Sequence, residues 1–236
     1  MTTKLHPAFD GPENADAKIW KFLDFTKFIS LLETRSLYFS RSDKLPDPHE
    51  GVYGKFGKIH RPVIGNAVNP ERQKLYDNYK KIRQSVFLNC WHENEHESAA
   101  MWDLYLKSNE GIAIQSTFKK LTGCFGVSGR PNIHIGRVKY LDYQKENLPT
   151  GNDLRLFMHK RKSFEHENEI RALIHDENDS EKNGIFVPVD VPALIEKIYV
   201  APTAEYWILD LVKSITKKYE LNNEVIKSSL FDDPVF

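Results

Sequence analysis

The stretch "FEHENEIRALI", residues 164–174, places Glu165, Glu167, Glu169 and Arg171 at alternate positions. On a strand all four side chains leave the same face. Carboxylates set this close raise one another's pKa, and a guanidinium lowers them again. Such a group suits acid–base or electrostatic work on a bound ligand. A purely structural ion-pair clamp, with Arg171 reaching Asp47 or Glu50, would look the same in sequence. The intervening positions Ile170, Ala172 and Ile174 form an apolar face, which favours a strand. In the competing helical reading Glu167 and Arg171 pair at i,i+4 while Glu165 and Glu169 repel. We take Glu167, Glu169 and Arg171 as the catalytic candidates and leave Glu165 as a solvated residue.

Three further stretches could contribute. "SRSDKLPDPHEG" offers Arg41, Asp43, Asp47, His49 and Glu50 on a loop stiffened by Pro46 and Pro48. Proline fixes the backbone, which suits a loop presenting polar groups, although Asp-Pro is also plain turn chemistry. In "MWDLYLKSNEGIAI", Trp102 and Tyr105 stand three apart on a helix and could stack a base or sugar ring; aromatic pairs of this kind also fill cores. "HENEH", His92 to His96, matches the H-E-x-x-H metal motif. That motif works only on a helix, which sets both histidines on one face. Here it follows the strand "SVFLNCW" and precedes Ser98, a helix cap, so it falls in a turn. Zinc hydrolysis through His92, Glu93 and His96 therefore stays a lesser alternative, and no metal is expected.

The elements that must position these residues read as follows. Residues 1–17 form a loose polar arm, and residues 18–236 form one domain. "KIWKFL" is a strand, and Asp24 caps a helix striped by Phe25, Phe28, Ile29 and Leu32. "SLYFS" is the second strand. Residues 51–68 form a long irregular connection, and Asn69-Pro70 starts a helix running to about Gln84. "GIAIQST", "IGRVKYLDY", "GIFVPVD" and "EKIYVAP" are strands. "NDLRLFMHKRKSF" is a basic helix, Thr203 opens another, and "NNEVIKSSL" is a short closing helix. Helices and strands alternate irregularly, so the class is α+β, a single domain with a mixed or antiparallel sheet and several flanking helices.

Composition narrows the partners. Lys+Arg and Asp+Glu are both 33 among 236 residues. The missing basic excess argues against broad nucleic-acid or membrane-surface binding, which both need it, though a local basic groove stays open. Cys90 and Cys124 are too sparse for a disulfide framework and fit a reducing compartment. No apolar leader opens the sequence and no apolar run reaches membrane-span length, so the expected location is the cytoplasm. Oligomeric state is not legible.

Taken together, "LYFSR…DPHEG", "VFLNCW", "AAMWDLYLKSNEGIAI", "VKYLDY", "KRKSFEHENEIRALI" and "IEKIYVAP" resemble the bacterial family known as domain of unknown function 2971. The family's D-P-x-E-G appears as Asp47, Pro48, Glu50 and Gly51. Its M-W-x-x-Y appears as Met101, Trp102 and Tyr105, and its E-x-E-x-R as Glu167, Glu169 and Arg171. Pro46 stands where that family usually has Asn. The resemblance implies a shared site and no particular reaction. The order of strand, helix, "LYFS" strand and late glutamate also resembles ADP-ribosyltransferase folds. That implies NAD as cofactor, held near Lys21, with Glu167 or Glu169 stabilising the charge that develops as nicotinamide leaves. Lys21 departs from the His or Arg of those folds, since an ammonium lacks arginine's planar fork.

The expected function is a polar pocket that binds a nucleotide-like small molecule, with NAD-dependent ADP-ribosyl transfer in a stress, toxin or phage-defence role. Lys21, Arg41, Asp47, His49, Glu50, Trp102 and Tyr105 are its ligand-binding candidates. The alternative is a non-enzymatic binding module in which the Glu/Arg cluster is a clamp.

Overall fold

A computed structural model of the chain describes residues 9–51, 63–64, 67–68, 70–105, 109–130, 132–146 and 153–234. Strand β1 (Lys18–Asp24) ends where the Asp24 carboxylate accepts the Lys27 N–H at 2.8 Å and caps helix α1 (Phe25–Thr34). Phe28, Leu31 and Leu32 form its buried face, and Arg35, in the left-handed region, turns the chain back into β2 (Ser36–Arg41). The short pair β3 (Val63–Ile64) and β4 (Ala67–Val68) leads to α2 (Pro70–Ser85) and then β5 (Val86–Glu93). Next come α3 (Ala99–Tyr105), β6 (Gly111–Thr117), α4 (Phe118–Gly123), β7 (His134–Arg137) and β8 (Lys139–Leu141). The last third contains β9 (His159–Arg161), β10 (Glu169–His175), β11 (Gly184–Pro188), α5 (Val191–Leu194), β12 (Lys197–Val200), α6 (Tyr206–Lys218) and β13 (Glu224–Lys227).

One nine-stranded sheet runs β11-β2-β5-β1-β6-β12-β13, and β10 joins β5 while carrying β7. Every pairing in it is antiparallel except β12 with β13, so the α+β class with a mixed sheet holds. β5 divides this sheet. On one edge β10 follows it from Glu169↔His92 to His175↔Val86. Its other edge is shared by two strands. β1 meets it only at Ile19↔Glu93 and Trp20↔His92, and β2 only at Ser40↔Leu88 and Arg41↔Phe87. Asn89, Cys90 and Trp91 thus have no ladder partner on that edge, and the sheet forks there, with α1 spanning from one prong to the other.

The two faces are packed unequally. One buries the main core, including Phe28, Phe39, Trp91, Ile170, Ala172 and Ile174. The other holds a smaller cluster of Phe9, Leu88, Leu156, Phe157 and Leu173. Large apolar area leaving water is the main force in both.

Three local expectations are corrected. The segment 9–17 is not loose: Phe9 is buried and Asp10 O accepts the Arg137 N–H at 2.7 Å, so this segment docks against β7; residues 1–8 lie outside the described residues. The basic segment is not a helix but two 3₁₀ turns, Asp153–Met158 and Lys162–Glu167, flanking β9. The closing segment is β13, not a helix, because so short a segment gains more from the free edge of β12 than from one unsupported turn. Among the described residues no helix is long and apolar enough to cross a membrane.

Candidate functional site

The fork holds a cavity of about 510 Å³. α1 lines one side through Lys27, Ser30 and Leu31. Lys160, Phe164 and Glu167 line the other, and β1, β2, β5 and β10 form the walls between. The cavity therefore passes between the prongs of the sheet.

Arg171 anchors its acidic wall. The side chain is fully buried. Nε and Nη2 donate to Glu169 Oε2 at 3.0 and 2.6 Å, and Nη1 and Nη2 donate to Glu50 at 2.8 and 3.2 Å. Nη1 also donates to Phe157 O at 2.6 Å. A guanidinium has five N–H groups, and here all five are used. Arg171 therefore has no N–H left to donate to a ligand, and its five hydrogen bonds hold two carboxylates in place. Glu169 and Glu50 hold it firmly charged, its pKa well above the usual value, against burial that alone would lower it.

Glu50 reaches this position through Gly51. Gly51 has φ +65°, and a Cβ there would lie 2.2 Å from a Phe157 ring carbon. Only glycine takes that conformation at no cost and lets the loop approach Phe157. Asp47 is the other buried acid of the loop. Its Oδ1 accepts the His49 N–H at 3.0 Å, which forms the turn, and the Arg161 Nη2 at 2.8 Å. Asp47 thus makes the turn, and Asp47 and Glu50 both line the cavity.

Glu167 is not on the strand with Glu169. β10 starts at Glu169, and Asn168 stands at φ 36° in the left-handed region, which Asn tolerates. The Asn168 Nδ2 donates to Glu93 O at 2.6 Å and fixes the kink. The two carboxyls still meet, because Lys160 bridges them: its Nζ pairs with Glu167 and lies 3.0 Å from Glu169 Oε1 and 3.6 Å from Glu50 Oε1. Lys160 is the residue that sequence reasoning missed. Its only signal was the basic run "HKRK" at 159–162, read as part of a basic helix.

The pair is electrostatically split. Burial pushes Glu167 up to about 8, reinforced by a hydrogen bond and charge repulsion from Glu169 and offset in part by Lys160. Burial also works against the Glu169 charge, but Arg171, Glu167 and Lys160 outweigh it and hold Glu169 well below the usual carboxylate range. The two environments thus favour the protonated form of Glu167 and the charged form of Glu169.

Lys21 sits across the fork. Trp20 and Glu169 are both register partners of His92 and share its face, so Lys21 belongs to the opposite face. It nevertheless lines the cavity, because the fork opens both faces to it. Its Nζ donates to Cys90 O at 3.0 Å and lies 5.5 Å from the Trp91 ring centroid. Burial, helped by the charge of Lys27, lowers its pKa to about 8.

The remaining candidates divide. Tyr105 lines the cavity and stacks with Phe22 at 6.5 Å between ring centroids. Trp102 instead is fully buried in the core, edge-on to Phe22, with its Nε1 donating to Glu97 at 3.1 Å. Arg41 is turned away into a clamp with Asp43 and the Ser180 carbonyl, and His49 is exposed outside the lining. Glu165 lies in the 3₁₀ turn and is exposed.

The H-E-x-x-H match has no helical frame. His92 and Glu93 are on β5, while His96 is in the following turn. Glu93 pairs with Arg137, whereas the His92 Nδ1 meets Glu167 O at 2.7 Å. Among the described residues no group of three or more His, Cys, Asp or Glu gathers as a metal set.

No family model and no curated protein matches the sequence. Two solved structures resemble the chain at 11% identity. "Thermus sp. 2.9 DarT in complex with NAD+" has a TM-score of 0.43 and covers 92% of this chain and 97% of that one. "Thermus sp. 2.9 DarT in complex with ADP-ribosylated ssDNA" has a TM-score of 0.42, at 93% and 96%. At that identity and TM-score the likeness carries no residue roles across.

Proposed function

We propose that the fork binds a nucleotide-like small molecule and that the carboxyl pair on its wall acts on a glycosidic bond, with NAD as the ADP-ribosyl donor. The observation that carries this reading is the pair Glu167 and Glu169, held side by side by Lys160 in surroundings that push their pKa values in opposite directions. Carboxyls pushed apart in this way are how proteins cleave bonds through oxocarbenium-like transition states. The aromatic walls of Phe22, Trp91, Tyr105 and Phe164 suit a flat base, and the volume fits a small-molecule site. When the ribosyl–nicotinamide C–N bond breaks, its electron pair neutralises the pyridinium nitrogen and positive charge builds on the ribose. Glu169 stabilises that charge. Glu167, once ionised, takes the proton of the attacking acceptor, so turnover rises with pH through about 8.

The test is a thermal-shift titration with NAD and ADP-ribose, followed by nicotinamide release from NAD. A raised melting temperature and release that Glu167→Gln abolishes would support the reading. Neither a shift nor release would sink it. Binding without release, unchanged by Glu167→Gln, would favour the non-enzymatic module, for which the saturated Arg171 clamp is the supporting observation.

A further inference from the structure

The cations around the cavity are paired, with one exception. Lys160 meets Glu50, Glu167 and Glu169, Arg171 meets Glu50 and Glu169, and Lys27 meets Asp24 at 2.6 Å. Among the described residues Lys21 has no carboxylate within 4.0 Å; its one hydrogen bond goes to Cys90 O. That carbonyl is available because Cys90 lies in the unpaired middle of β5, and the ring of Trp91 covers the amine's other side. An ammonium offers three donors, and a half-buried one with a single acceptor is poorly served. Losing a proton removes the charge, keeps the N–H to Cys90 O and leaves a lone pair. The lowered pKa of Lys21 agrees with this geometry. Ser30, Ser36 and Ser40 line the same cavity, and their hydroxyls suit a polyhydroxylated chain.

We propose that Lys21 is a nucleophilic amine that captures an aldehyde-bearing ligand, such as an open-chain sugar, as an imine in the fork. The Nζ lone pair adds to the carbonyl carbon while the carbonyl oxygen gains a proton, and the carbinolamine then expels water. Amine and aldehyde become imine and water, with no change of oxidation state. Desolvation in an apolar site is a general route to such amines. This goes beyond the glycosidic reading and stands without it.

The experiment uses the full chain, glycolaldehyde and cyanoborohydride, with the reduced adducts mapped by peptide mass spectrometry. At pH 7 labelling of Lys21 should exceed that of the exposed Lys27 and Lys145 by about tenfold or more, since far more of a lysine titrating near 8 is neutral there. Its rate should rise with a midpoint near pH 8, and Lys21→Arg should lose the adduct at that peptide alone. An unmodified Lys21 beside labelled Lys27 and Lys145 would overturn the proposal. So would labelling of Lys21 that appears only in denaturant. Either result can occur whether or not NAD binds, so this test and that of the glycosidic reading fail separately.

Discussion

Arg171 and Lys21 are cations near the middle of one sheet, with β5 between them, and their surroundings differ in kind. Arg171 spends every donor on Glu50, Glu169 and Phe157 O, while Lys21 has a single backbone carbonyl. The first is held by, and holds, two buried carboxylates that Lys160 also faces. The second is a cost the fold carries, and the fork of β1 and β2 away from β5 keeps it open to a ligand. Burial alone thus says little about role; the supply of partners decides it.

The largest effect that would break this contrast is on Arg171. Arg171→Met should lower stability by about 3–5 kcal/mol in urea titration, because Glu50 and Glu169 stay buried with the single charge of Lys160 left to face both. A loss below 1 kcal/mol would show that the cluster is not a clamp. Lys21→Met should instead raise stability at pH 7, on the order of 1 kcal/mol, since it removes a half-buried charge that has no counter-ion. The sign has a pH signature. The folded pKa of Lys21 lies below its unfolded value, so its contribution to stability is present above about 10.5 and lost as pH falls through about 8. The gap between wild type and Lys21→Met should therefore close in alkali.

Glu167 should show the opposite slope. Its folded pKa is raised, so its contribution is complete below about 4.5 and fades as pH rises to about 8. Glu167→Gln should flatten the stability profile over that window, and a profile identical to wild type would contradict the split pair. The smallest effect is expected at His49, which is exposed and outside the cavity lining. His49→Ala should stay within about 0.5 kcal/mol in stability and leave NAD-induced thermal shifts unchanged.

Some of this was legible in sequence. Alternation in "EIRALI" marked β10 and its apolar face, and the Asp-Pro…Glu-Gly loop marked the residues that meet it. Glu167 was placed on the wrong element because a single left-handed residue, Asn168, resets the alternation. Trp102 and Tyr105 looked equivalent at helical spacing, yet one fills the core and the other half-exposes its ring beside the cavity. Period gives a face, but the packing partners of that face come from elsewhere in the chain.

The sequence by itself determined the α+β class and the apolar face of β10, because these follow from local periodicity. Tertiary structure alone decided the fork. Strand pairing between residues 46 to 74 positions apart sets which edge atoms are left over, and no local pattern records it. That choice left Cys90 O unpaired, turned Lys21 toward it, and joined two faces of a sheet in one cavity.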